Sequence, residues 1–172
     1  AISSQPDVKI LYTDEDKIRP DGTRFDPHFK PDWNRELLYG MNYISHLTVY
    51  ETTLVRAVGG FRQAFEGAQD YDLLLRCIEK ISDAQILHIP KILYTRRAVQ
   101  GRIATSDDVK PDATEAGLPA LAEHLERIEG KPIPVEQGFF PYSYRALWPV
   151  GSEPLVSMII PTRDCMKVLH VA

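Results

Sequence analysis

Within nine residues the chain passes from a β-prone apolar run, Val8-Lys9-Ile10-Leu11-Tyr12, to three consecutive acids, Asp14-Glu15-Asp16. A run of that kind ending in carboxylates predicts a strand with the acids at its carboxyl end, where open α/β sheets hold their ligands. In extended backbone Asp14 and Asp16 project to one side. Two hard oxygen donors in that relation suit Mg²⁺ or Mn²⁺, particularly when a substrate phosphate completes the shell. Arg19-Pro20-Asp21-Gly22 follows closely, however, and Asp and Gly also build ordinary solvated turns. Taken alone, the triplet favours the turn.

A second segment shifts the balance. From Gln69 the apolar residues Leu73, Leu74, Cys77, Ile78 and Ile81 recur at helical spacing, which predicts an amphipathic helix with Asp70 and Asp72 in its first turn. Gly59, Gly60 and Gly67 loosen the approach to it. Asp70 then has two readings: an acid that complements the helix dipole, or a carboxylate aimed into a cleft to take a proton from a substrate hydroxyl. Spacing leaves both open.

Five segments in order, Tyr12-Thr13-Asp14-Glu15-Asp16-Lys17, Phe29-Lys30-Pro31-Asp32-Trp33, Gly59-Gly60-Phe61-Arg62, Gly67-Ala68-Gln69-Asp70-Tyr71-Asp72-Leu73 and His88-Ile89-Pro90-Lys91-Ile92-Leu93-Tyr94, carry a resemblance. The chain resembles the C-terminal part of an inverting family 2 glycosyltransferase of GT-A fold, of the kind found in bacterial O-antigen and surface-polysaccharide assembly. The resemblance implies an α/β fold, the C-terminal part of a nucleotide-diphospho-sugar transferase domain with a mixed sheet, flanking helices and a connector.

It also implies roles. Asp14-Glu15-Asp16 corresponds to the D-x-D element: Asp14 and Asp16 as metal ligands, with Asp16 the closer, and Asp14 and Glu15 beside the donor diphosphate. Asp70 corresponds to the base that deprotonates the acceptor. Tyr94-Thr95-Arg96-Arg97 falls where relatives carry Tyr-His-Trp-Arg followed by further His and Ser. This chain keeps Arg97, the expected diphosphate contact, but lacks both histidines, leaving Arg96, Arg97 or Arg102 to supply positive charge. The implied cofactor is Mn²⁺ or Mg²⁺, the implied partners a nucleotide-sugar donor and a saccharide or lipid-linked acceptor. The implied location is cytoplasmic and peripheral at the inner face of a membrane. Such chemistry needs these residue types, because a departing nucleoside diphosphate gathers negative charge that a metal or arginine stabilises, while the attacking hydroxyl needs a base on the opposite face.

The expected organisation is the C-terminal half of a GT-A domain over residues 1–109, a helix-containing connector over 110–153 and the first strand of a second such domain over 154–172. That reading makes the chain an internal fragment of a tandem transferase, inactive in isolation and prone to self-association through an exposed strand edge. Asp112 to Gly130 carries helical periodicity around Pro119, and Lys131 to Pro149 interleaves Pro132, Pro134 and Pro141 with strand-like residues.

Other residues weigh towards structure. Trp33 and Phe29, near prolines, are expected to pin a loop to the core rather than to stack on a sugar. His88 reads as structural, and His46 as a cleft-facing or solvent-facing residue. With 172 residues, 44% hydrophobic content and a net charge of −4, the composition fits a soluble globular chain with no basic character for nucleic acid. Cys77 and Cys165 give no disulfide framework, and Cys77 lies on the apolar helix face as a reduced thiol would. Two rival classes remain: a noncatalytic carbohydrate-binding module using Trp33, Tyr43 and Tyr50, and a metal-dependent nucleotidyl- or phosphotransferase. The latter is disfavoured by the absence of a G-x-x-x-x-G-K-[ST] loop.

Overall fold

A computed structural model describes residues 5–98, 111–152, 155–157 and 159. Arg102, Cys165 and nearly all of the expected second domain lie outside the described residues. The architecture is mixed α/β, with a mixed sheet and helices, compatible with the C-terminal part of a nucleotide-sugar-transferase-like domain.

The apolar run opens the central strand, β1 (Ile10–Ile18). One edge of β1 is shared by β3 (Thr48–Tyr50), paired at Ile10 to Tyr12, and β2 (Arg24–His28), paired from Glu15 to Ile18, both antiparallel. The other edge takes the long parallel β4 (Ile86–Arg97). Among the described residues β4 pairs with β1 alone.

The acids therefore lie inside a strand and not at its end, contrary to the sequence expectation. Two-sided pairing carries β1 six residues further than its apolar run, as far as Ile18, and the turn falls at Arg19–Gly22, where Gly22 adopts φ +88°. Register slips occur around Asp14 against β4, which contains Pro90, and between Glu15 and Lys17 against β2, where Asp26 has φ 52°. Proline cannot donate to a ladder, and such irregularities re-aim side chains.

The sheet packs against α3 (Gln69–Ile78), whose apolar face buries Leu74, Leu75, Cys77 and Ile78 with Ile10 and Tyr12 of β1. Burial raises the Cys77 thiol pKa to about 11, in keeping with a packed, unreactive sulfur. Short helices α1 (Arg35–Gly40) and α2 (Thr52–Ala57) close the sides. Asn34 caps α1 by accepting the Leu37 amide at 2.8 Å.

Helix α4 (Pro111–Glu129) docks on α3, placing Ala120, Leu121 and Leu125 in the same core. The fully buried His124 on α4 faces Glu79 (Nδ1 to Oε1, 2.8 Å) and the Tyr39 hydroxyl (3.3 Å). Burial lowers the His124 pKa against the opposing pull of Glu79. After α4 comes a hairpin of β5 (Val135–Gln137) and β6 (Tyr144–Ala146). The expected connector thus contributes helix and hairpin to the main core. A Cβ on Gly117 of α4 would stand 1.9 Å from the Tyr144 hydroxyl oxygen. Gly117→Ala is accordingly expected to destabilise the chain by about 1–3 kcal/mol despite its better helix propensity, which urea unfolding would measure.

Trp33 packs partly buried against the core as expected, but Phe29 does not: it is 69% exposed. Its neighbour Lys30 takes the buried position instead, held by carbonyl partners described below. No helix among the described residues is long and apolar enough to cross a membrane.

Candidate functional site

The acids of β1 alternate as a strand demands. Asp14 is buried; its Oδ1 accepts the Lys30 amide at 3.0 Å and faces His88 Nε2 at 2.9 Å. His88 stacks on Tyr12 at 4.8 Å, and its Nδ1 lies 3.2 Å from Asp32, so the imidazole is a structural pin between two acids. Asp16, also buried, accepts from Arg24 of β2, with Nε at 2.7 Å.

Glu15 points the other way, into the largest cleft of the site. Its oxygens lie 3.6 Å from His28 Nδ1, 3.5 Å from His46 Nδ1 and 3.5 Å from Lys30 Nζ. Burial pushes its pKa up, but hydrogen bonds from His28 and His46 and the Lys30 charge outweigh this and hold it well below the usual carboxylate range. Lys30 has a fully buried side chain whose ammonium donates to the carbonyls of Ile44 and His46. Desolvation lowers its pKa, with Glu15 opposing. The lysine thereby fastens the loop carrying Ser45 and His46 to the middle acid of the triplet. Sequence reading assigned Lys30 no role, and only its place in the Phe29–Trp33 segment hinted at one.

The cleft, about 690 Å³, is lined by Glu15, Lys17, His46 and Arg96 from the sheet and its flanking loop and by Asp70 from the first turn of α3. A contiguous recess of about 340 Å³ brings in Asp16. His46 faces the cleft, stacked on Tyr94 at 5.1 Å. Register places Arg96 beside Lys17 and Arg97 beside Ile18. Arg96 lines both cavities, whereas Arg97 is exposed and lines neither, because successive strand residues face opposite sides.

Asp70 stands in the first turn of α3, whose N-cap, Ala68, offers no capping side chain. Gly67 at φ +97° makes the entry turn, and Gln69 reaches back to accept the Gly67 amide at 2.8 Å. Asp70 Oδ2 accepts from Asn42 Nδ2 at 3.1 Å. Asn42, also in the cleft wall, carried no sequence signal.

Asp72 faces away from the cleft into the core. Arg62 and Arg76 both clamp it, with Arg76 Nη2 at 2.6 Å, and Arg76 in turn donates to the carbonyls of Val58 and Gly60. Burial opposes ionisation, but the hydrogen bonds from the two arginines prevail and lower the Asp72 pKa. The i, i+4 spacing of Asp72 and Arg76 is the sequence signal that marks this pair.

Asp14 does not fit as a metal ligand in this arrangement, since its carboxylate already serves Lys30 and His88 and lines neither cavity. Asp16 and Glu15 fit better, as both line the recess, although an ion at Asp16 has to replace Arg24. Among the described residues no group of three or more His, Cys, Asp or Glu side chains converges as a ready-made metal cage.

No family model matches the chain. It is similar to two curated proteins. One, Uncharacterized protein y4gI of Sinorhizobium fredii, is 64% identical over 169 residues, covering 98% of this chain and 19% of that protein. The other, O-antigen biosynthesis protein RfbC of Myxococcus xanthus, is 40% identical over 170 residues, covering 99% of this chain and 13% of that protein. The chain spans less than a fifth of the length of either relative.

Proposed function

We propose that this chain carries the acceptor base and part of the donor site of an inverting, family 2-like glycosyltransferase acting in surface-polysaccharide synthesis. The observation that carries the reading is a single cleft lined both by Asp70 of α3 and by Glu15, Lys17 and Arg96 of the sheet. An attacking hydroxyl and a departing diphosphate need that division, a base on one side and charge stabilisation on the other. The name of the 40% identical relative, an O-antigen biosynthesis protein, supports the polysaccharide setting.

Asp70 is the base. Asn42 holds one of its carboxylate oxygens, leaving the other to accept the acceptor proton as the sugar–oxygen bond forms. Lys17 and Arg96 attract the diphosphate as it departs with the electron pair of the broken bond. A divalent ion, bound at Asp16 beside Glu15, would add charge neutralisation on the leaving group.

The test uses the full-length protein containing this segment, assayed for transfer from a panel of nucleotide sugars while Mn²⁺ or Mg²⁺ is titrated. Asp16→Asn is expected to raise the divalent concentration needed for half-maximal activity by about tenfold, the scale of losing one well-placed metal contact. Asp14→Asn should lower thermal stability and leave that concentration unchanged. The opposite pattern would move the metal to Asp14. No transfer from any donor would overturn the proposal and favour the carbohydrate-binding alternative.

A further inference from the structure

Asp70 is an exposed acid in the first turn of a helix whose N-cap, Ala68, supplies no side-chain cap. Two attractions compete for a carboxylate so placed: the amides that a helix start leaves without an intrahelical partner, and any donor across the cleft. Asn42 decides between them by donating Nδ2 to Asp70 Oδ2 at 3.1 Å. The other end of the same carboxamide is engaged as well, Oδ1 accepting the Ser45 amide at 3.4 Å. That pairing fixes which end faces Asp70, because a flipped amide would set oxygen against carboxylate and NH2 against N–H.

One element holds the two residues in relation to each other. Each is followed by a buried tyrosine, Tyr43 after Asn42 and Tyr71 after Asp70. The Tyr43 hydroxyl accepts the amide of Asn34, the N-cap of α1, at 2.9 Å, and the Tyr71 hydroxyl donates to the Leu38 carbonyl within α1 at 2.7 Å. The segment that carries Asn42 is pinned at both ends besides. Met41 bridges to Ser143 at the start of β6, and the Lys30 ammonium donates to the carbonyls of Ile44 and His46, on either side of Ser45.

We infer that Asn42 is the positioning residue for Asp70: it engages Oδ2, draws the carboxylate away from the helix start and leaves Oδ1 for the acceptor hydroxyl, with α1 as the frame that sets their separation. This deepens the transferase reading and rests on it for the reaction. In the transfer step the Asp70 oxygen takes the hydroxyl proton as the new sugar–oxygen bond forms, and the diphosphate leaves with the electron pair of the old one. Asn42 neither gains nor loses a proton. Its effect is on geometry. An exposed aspartate without such a contact divides its time among staggered rotamers, and the rate falls with the fraction spent in line with the hydroxyl.

Steady-state kinetics of two variants in the full-length protein test the inference. Asn42→Asp keeps the shape and the acceptor for the Ser45 amide, but sets an ionised carboxylate, which only accepts, where the donor was. Asn42→Ala removes both contacts. Each is expected to lose kcat roughly tenfold or more, with donor and acceptor KM within about twofold of wild type. A role confined to holding the loop would spare Asn42→Asp, so wild-type kcat in that variant would sink this inference alone. Combining Asn42→Asp with Asp70→Asn gives a second readout: once residue 70 cannot take a proton its placement no longer matters, and the second substitution should cost nothing further. Losses that multiply would show Asn42 acting on the substrate directly and would overturn the inference. A third readout is independent of activity. The side-chain amide resonances of Asn42 should move in Asp70→Ala, and unmoved resonances would overturn the contact itself. Failure of wild type to transfer from any donor, with those resonances responding as expected, would bring down the transferase reading and the catalytic purpose of the contact with it.

Discussion

Replacing Asp70 by Asn is expected to lower turnover of the full-length protein by about 10² or more while leaving nucleotide-sugar binding close to normal. The side chain stays nearly isosteric and its contact to Asn42 can persist, because an amide oxygen still accepts from the Asn42 Nδ2 that now meets Oδ2 at 3.1 Å. Only the capacity to take a proton is lost. Because Asp70 lines the cleft from α3 and not from the strands that carry Lys17 and Arg96, the defect should appear in kcat and not in the donor KM. Isothermal titration with the nucleoside diphosphate, run beside steady-state kinetics, separates the two. A large loss of diphosphate affinity would return Asp70 to the donor site, and unchanged turnover would remove it from the reaction.

The second large effect is on stability, and it comes from the acid two positions along. Asp72 is 1% exposed and clamped by Arg62 and Arg76. Asp72→Asn removes the charge both guanidiniums answer, and breaking a buried pair in that way costs about 3–5 kcal/mol. For a chain of this size the melting temperature should fall by roughly 10 °C. The pH dependence has a definite sign. The folded-state pKa of Asp72 is lowered, so its contribution is fully present above the ordinary aspartate value of 3.8 and is lost as pH falls through the lowered value. Wild type and Asp72→Asn should therefore differ most near neutrality and converge in acid. A constant difference across that range would show that packing, and not ionisation, is what the substitution removes. Asp72 is consequently unsuitable as a neutral control for Asp70: a loss of activity in Asp72→Asn is to be read against its melting curve.

The two aspartates also show where sequence reasoning reaches and where it stops. The periodicity of Leu73, Leu74, Cys77 and Ile78 places both acids in the first turn of an amphipathic helix, and the structure has them there. Helical geometry further separates residues two apart onto different faces, so one acid in the core and one in the cleft is legible in principle from Asp72 and Arg76 alone. That Arg62 arrives from outside the helix to complete the clamp is not.

The strand is similar. Alternation along Asp14-Glu15-Asp16 is a property of any extended chain, and the apolar run before it is sufficient to predict the central strand. The strand's extent was decided by partners brought from elsewhere: β2 and β4 supply hydrogen bonds that carry β1 through the acids to Ile18. The same partners decided what each acid does, for His88 of β4 faces Asp14 and Arg24 of β2 engages Asp16, while Glu15 is left facing the cleft. Likewise the exchange of Phe29 for Lys30 as the buried residue depends on two carbonyls, of Ile44 and His46, that become available only when that loop folds back over β1.

Local pattern therefore determined the elements of this protein: the strand, the amphipathic helix with its leading acids, and the long helix after residue 110. These follow from side-chain periodicity, which a linear sequence carries in full. Tertiary structure alone decided what each acid of β1 does, that Arg96 and not Arg97 lines the cleft, and that the hairpin after α4 comes back to line it too. Charged groups cross into a core only where a specific partner offsets their desolvation, and those partners lie anywhere from four residues away, as Arg76 from Asp72, to 74, as His88 from Asp14.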